Sequence, residues 1–220
     1  MKRSILVAAL LSALPMVPAN AYKAGDLILR AGAANANPDA SSSEVRVAGA
    51  NVSGSSVDVD DNTQLGLTGT YMFSDVLGIG LLAATPFKHD VSAKGIGINK
   101  VATVEHLPPT LTLQYFPRAG DAAVQPYFGL GVNYTRFFSE QTSDELNAAL
   151  GDSDISLDDS FGLALEAGVD VAFNQNWILN AAVWRLDLDT DATINSPAGQ
   201  VTVDVTVDPW VYMLGLGYKF

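Results

Sequence analysis

The chain has 220 residues, 48% of them hydrophobic, with 12 basic against 24 acidic side chains, a formal charge of −12 and no cysteine. That charge disfavours nucleic acid or an anionic membrane surface as a partner, and the lack of cysteine excludes disulfide staples. The length suits one domain, globular or barrel-shaped.

The first element in chain order is a leader. Lys2 and Arg3 precede an apolar run from Ile5 to Val17, and Ala19-Asn20-Ala21 follows. These are the charged, hydrophobic and small-residue regions of a secretory signal peptide over residues 1–21. Cleavage after Ala21 leaves Tyr22 first in a single mature domain, residues 22–220. The run is shorter than the roughly 18 to 20 apolar residues a membrane helix needs. Without Lys2 and Arg3 the balance is 10 basic against 24 acidic residues. Export without disulfides fits a bacterial envelope protein.

From Asp26 onward the period is two. Phe161, Leu163, Leu165, Ala167, Val169, Val171 and Phe173 alternate with Gly162, Ala164, Glu166, Gly168, Asp170 and Ala172, giving one greasy face and one small or polar face. Leu65 to Phe73 and Phe128 to Tyr134 repeat the pattern. Eight such segments are predicted, at about 25–33, 62–73, 77–86, 100–116, 124–138, 160–173, 177–190 and 207–220. Each is near or above the roughly 9 to 11 residues with which a tilted strand crosses a bilayer. The links alternate: 74–76, 117–123 and 174–176 are short, whereas 34–61, 87–99, 139–159 and 191–206 are long. Residues 33–54 are rich in Ala, Ser, Asn and Gly, which predicts mobility. In the third long link, Thr142 and Glu145 suggest a capping box before a short helix over 146–150, with Gly151 as its stop.

An even strand number with short and long links in turn predicts an all-β, eight-stranded antiparallel transmembrane barrel with periplasmic termini and four long extracellular loops. A soluble lipocalin-like barrel also has eight strands. Facing separates the two. The interior of eight strands has little room, so the face of Gly, Thr, Ala and Asn must be the inner one and the greasy face meets lipid. The expected location is the outer membrane, crossed many times.

Candidate sites are few. His89 and His106 are the only histidines, and His89-Asp90 with Ser92 is the one set worth weighing for acyl transfer. Neighbours on an extended segment point to opposite sides and no oxyanion-hole motif accompanies them, so a solvated loop histidine and no catalytic residue are expected. Asp187, Asp189 and Asp191, and Asp152, Asp154, Asp158 and Asp159, have the density to hold calcium or magnesium. They lack the glycine and glutamate of a calcium loop, and a solvated acidic rim with no metal or cofactor is the expectation.

Parity puts Arg30, Glu166, Asp170 and Lys219 on the inner face, where charges are costly unless paired. They read as a salt-bridge network that fixes the lower barrel, and one that could also block water. Pro86 on one strand and Pro108-Pro109 on the next sit at similar height, so the ladder is broken on both. Either a side opening or two ordinary strand ends above the lipid would follow. Leu82 and Ala84, with Trp184 and Leu186, fall on the inner face as an apolar lining or as plain packing.

The stretches NTQLGLTGTYMFSD, LLAATPFKHDV, ATVEHLPPTL, QPYFGLGVNYTRFF and DPWVYMLGLGYKF closely resemble the OmpW family of Gram-negative outer-membrane proteins, in order and over nearly all of the mature chain. The resemblance implies a hydrophobic channel open to the outside, helping small hydrophobic solutes across. It also implies a sideways exit through the wall, as in related alkane-import proteins. It assigns the channel lining to Leu82 and Trp184 and matches the prolines to LLAATPF and HLPPTL. A structural barrel that displays acidic loops is the alternative. The expected partners are outer-membrane lipids and lipopolysaccharide, hydrophobic solutes, and the assembly machinery, which would read the terminal Phe220.

Overall fold

The computed structural model describes residues 22–118 and 122–220, so the leader predicted over residues 1–21 lies outside the described residues. Eight long strands form the barrel: β1 (Leu27–Asn37), β2 (Asn62–Met72), β3 (Leu77–Ala84), β4 (Thr110–Tyr115), β5 (Val124–Thr142), β6 (Ser160–Ala172), β7 (Trp177–Leu186) and β8 (Trp210–Lys219). Each pairs antiparallel with its chain neighbours. The first and last then pair from Ile28↔Lys219 to Asn37↔Trp210, which closes the cylinder and leaves no free edge. No helix among the described residues is long and apolar enough to span a membrane.

Alternation orients every wall strand. Leu65, Leu67, Leu111, Leu113, Phe128, Leu130, Phe161, Leu163, Leu214 and Leu216 are exposed. In water such a surface would be an aggregation hazard; around a closed barrel it is the lipid-facing band. Trp177, Trp210, Tyr212, Tyr218 and Phe220 add exposed or half-exposed rings at its two ends. On the inner face glycines make room for larger partners. A Cβ on Gly80 would stand 2.3 Å from the Gln114 amide, and one on Gly168 would stand 2.3 Å from the Tyr127 ring. The small face is therefore small because long side chains from the neighbouring strands lie over it.

The predicted links hold more structure than expected. Residues Phe87–Lys94 and Lys100–Leu107 form a hairpin that continues the wall outward, pairing with Ser56–Val59 on one side and with the upper part of β5 on the other. The segment expected as continuous over 100–116 is thus split at Pro108 and Pro109, and the one expected over 77–86 ends at Ala84, with a further strand starting after Pro86 at Phe87. A second sheet joins Asp154–Leu157, Asp189–Ser196, Gly199–Thr206 and the short strands at Ser41–Ser42, Arg46–Val47 and Ala50–Asn51. Val201, Val203 and Val205 alternate with Thr202 and Asp204 there, and their inner row packs with Ile194 and Val45 into a second apolar core above the first. The segment 33–54, predicted to be mobile on composition, is held to this sheet by ladder pairs to Val201, Thr202, Val205 and Thr206.

The short helix covers Asp144–Leu150, and its cap differs from the expected one. Ser143, not Thr142, accepts the Leu146 N–H at 3.0 Å. Glu145 turns to the backbone N–H groups of Asn99 and Lys100 instead of closing a capping box. Gly151 stops the helix at φ +87°, a conformation that glycine adopts without steric cost.

A plugged bore beneath an apolar chamber

The lower bore is filled by one hydrogen-bonded network. Arg30 forms an ion pair with Asp170 and also donates through Nε to Asp170 Oδ1 at 3.0 Å. The same carboxylate accepts Tyr22 Oη at 2.6 Å and Asn180 Nδ2 at 2.8 Å. Arg30 Nη1 donates to Thr70, Thr70 to Gln114 Oε1, and Gln114 to Glu166 at 2.9 Å. Thr112 also donates to Glu166, at 2.7 Å, and the Trp184 indole bonds the same carboxylate. Arg30, Asp170 and Glu166 are all buried. A buried charge without partners would cost several kcal/mol, on the order of the price of a lost native pair, and here each is enclosed by donors or acceptors.

Lys219 stands at the rim of this network. Its ammonium is 3.9 Å from Asp26 and 6.0 Å from the centre of the Tyr22 ring. Tyr22 also packs edge-on against Phe116 and so joins the plug to the mouth of the barrel.

Leu82, Trp184 and Leu186 are buried immediately above the polar groups, with Ala84 half-buried beside them. They face inward and are packed with Met213, Val211 and Ala34. This layer fills the bore; the open space lies above it. A cavity of about 80 Å³ is lined by Ala36, His89, Val91, Val104, His106, Phe137, Leu188, Val205 and other apolar side chains. A wider one of about 370 Å³, nearer the loop tips, is lined by Val45, Ile96, Leu146 and Leu150 among others. The two are neighbours, with Val57, Val101, Ile194 and Val203 in the lining of both.

Below these cavities the wall has a seam. The β3–β4 ladder ends at Leu82↔Thr110 and resumes in the outer hairpin at Phe87↔His106. Between those pairs lie Ala83, Ala84, Thr85 and Pro86 on one side and Leu107, Pro108 and Pro109 on the other, with no ladder between them. Each side stays tied to its far neighbour: Ala83 and Ala84 pair with β2, Leu107 pairs with β5, and Tyr134 N–H donates to the Pro109 carbonyl. Proline supplies no N–H, so three of these seven positions could not donate to a ladder in any register.

His89 corrects the expected solvated loop histidine. It is 4% exposed, its ring stacks on His106 at 5.0 Å and 15°, and its Nδ1 donates to the Asp60 carbonyl. Asp90 points outward to Thr103 and Lys100, so the two do not form a catalytic pair. The signal for His89 was present: Phe87, His89, Val91 and Ala93 share one parity, as do Ala102, Val104 and His106. Among the described residues no three His, Asp or Glu gather closely enough to hold a metal. Asp189 and Asp191 ladder with Thr206 and Asp204, and Asp159 accepts Tyr134 Oη.

Burial lowers the pKa of both imidazoles, that of His106 to about 3 with a further push from His89. For His89, the Asp60 carbonyl and the charges of Asp60 and Asp61 act in the opposite direction. The unfolded hairpin therefore binds more protons than the folded one between pH of about 3 and 6.5. The stabilisation is complete above the unfolded value and is lost as pH falls, at about 1.4 kcal/mol per unit for a fully shifted group. Hydrogen exchange of the 87–107 hairpin should accelerate from pH 7.5 to pH 4.5, after correction for the intrinsic rate, and His106→Phe should flatten that dependence. Equal protection at both pH values would refute it.

Comparison with known proteins agrees with this architecture. The OmpW family profile matches residues 23–220. Outer membrane protein W of Vibrio cholerae is 43% identical, with all of both chains covered. The crystal structure of the outer membrane protein OprG from Pseudomonas aeruginosa superposes with a TM-score of 0.89 at 49% identity, covering 92% of this chain and 99% of that one. A Pseudomonas aeruginosa protein named dibenzothiophene metabolism operon protein PahQ is 31% identical over 87% of each chain. With a closed eight-stranded barrel, a lipid-facing apolar band and a family match over residues 23–220, this chain belongs to the OmpW family of outer-membrane proteins.

Proposed function

We propose that the protein is a passive channel for small hydrophobic solutes with a sideways exit. A solute enters between the loop tips, descends through the two neighbouring apolar cavities and leaves through the seam between β3 and β4 into the lipid. The observation that carries this reading is the order of the parts. The apolar cavities lie above a wall interruption, and a packed, polar plug lies below both. A solute that has shed its water gains nothing by entering the Arg30–Asp170–Glu166 network, whereas the seam leads to hydrocarbon. The name of the relative PahQ supports polycyclic aromatics as one class of cargo.

Leu82 is the test position, because it closes the ladder just beneath the seam. An unpaired charge there costs several kcal/mol, on the order of the penalty for a broken buried pair, and each 1.4 kcal/mol or so is tenfold. Leu82→Arg should cut uptake of a hydrophobic fluorescent probe into proteoliposomes by roughly tenfold or more. Trp184→Ala, which removes the layer that fills the bore, should change the rate as well. Uptake equal to that of empty liposomes would sink the proposal. If deletion of the acidic loops alone removed the cellular phenotype while both substitutions were silent, a surface-display role bridged by cations to lipopolysaccharide would replace it.

A further inference from the structure

The lining of the two cavities is apolar almost throughout; its exceptions are a pair of imidazoles and Thr190, whose hydroxyl already donates to the Asp158 carbonyl. Phe87, His89 and His106 form a triangle of nearly parallel rings, His106 at 5.5 Å and 23° from Phe87 and at 5.0 Å and 15° from His89, with Phe87 and His89 6.3 Å apart, and Phe137 leans on His106 at 5.7 Å. His89, His106 and Phe137 line the inner cavity. A purely structural wall would be better served by phenyl rings, which need no hydrogen bonds. The imidazoles leave needs unmet. His106 Nδ1 is buried with no hydrogen-bond partner. His89 Nδ1 faces the Asp60 carbonyl, which can only accept, so the proton sits on Nδ1 and Nε2 carries a lone pair. Among the described residues nothing bonds to that Nε2. Burial keeps both rings neutral at pH 7, so they can accept.

We propose that the His89–His106 pair makes the inner cavity selective for flat aromatic solutes that carry one hydroxyl donor, the phenol class. The solute ring packs against the imidazole and phenyl rings and its hydroxyl donates to Nε2 of His89, whose proton is held on Nδ1 by the Asp60 carbonyl; His106 Nδ1 is too deeply buried to be reached. A site with a buried, unsatisfied acceptor discriminates far more strongly for a matching donor than an apolar site does for one extra methyl group. The channel reading explains only how such a solute arrives; the selectivity concerns binding.

The test measures binding of 4-fluorophenol, 4-fluoroanisole and 4-fluorotoluene by fluorine NMR, with the full-length protein in lipid nanodiscs and empty nanodiscs as the partition control. The phenol should bind roughly tenfold more tightly than the anisole, which has a ring and an oxygen but no donor. The double substitution His89→Phe with His106→Phe keeps the rings and should erase that preference while leaving 4-fluorotoluene binding in place. His89→Phe alone should remove most of it. Equal binding of phenol and anisole by the unaltered protein overturns the proposal without reference to any variant, and so does a preference that survives the double substitution. Preferential phenol binding together with no uptake in liposomes would keep this site and discard the channel.

Discussion

Arg30→Ala should lower the stability of the barrel by about 3–5 kcal/mol, the cost of stranding a buried carboxylate. Asp170 would keep its bonds from Tyr22 and Asn180 but lose both contacts with the guanidinium. Asp170→Asn should do comparable damage by leaving Arg30 without its counter-charge. The pair Arg30→Ala with Asp170→Asn should be less harmful than the two single effects added, because no charge is left without its partner. Lys219→Ala should cost less, since its ammonium is at the rim beside Asp26. Unfolding in urea from lipid vesicles gives all four values. If Arg30→Ala left the midpoint unchanged, the network would be filler in the bore.

Replacing Pro86, Pro108 and Pro109 together by threonine should close the seam and stop uptake, bringing the rate to within about twofold of empty liposomes. Threonine restores the missing N–H groups and favours a pleated, half-buried wall. The cavity around His89 and His106 would remain, so binding of 4-fluorophenol in nanodiscs should persist while transport is lost. That split separates a blocked exit from a collapsed protein. Undiminished uptake with a restored ladder, confirmed by slow exchange of the new amides, would show that solutes leave elsewhere.

Much of the wall was legible because its physics is local. Alternation along 160–173 and 62–73 reports which face meets lipid, and a barrel of eight strands leaves one choice for the inner face. Inner placement of Arg30, Glu166 and Asp170 followed from the same parity. What parity could not supply was the partner set: that Thr70 and Gln114 relay between Arg30 and Glu166 depends on register across four strands. The extracellular sheet was missed for another reason. Val201, Val203, Val205 and Val207 alternate as clearly as any wall strand, but short polar-flanked runs between longer ones read as loop. His89 was misjudged because residues 87–99 read as a long link, whereas the row from Phe87 to Ala93 decides its facing.

Closure of the cylinder by β1 and β8 has a consequence for biogenesis. Ile28 finds Lys219, and Arg30 finds Asp170, only across most of the chain. Contacts of such separation carry a large chain-entropy cost and form slowly. Until the final strand arrives, β1 is an open edge with a greasy face, able to pair with any strand nearby. Arrival of the last strand is therefore what completes the wall, and the greasy outer face that closure creates is at home only where lipid is at hand.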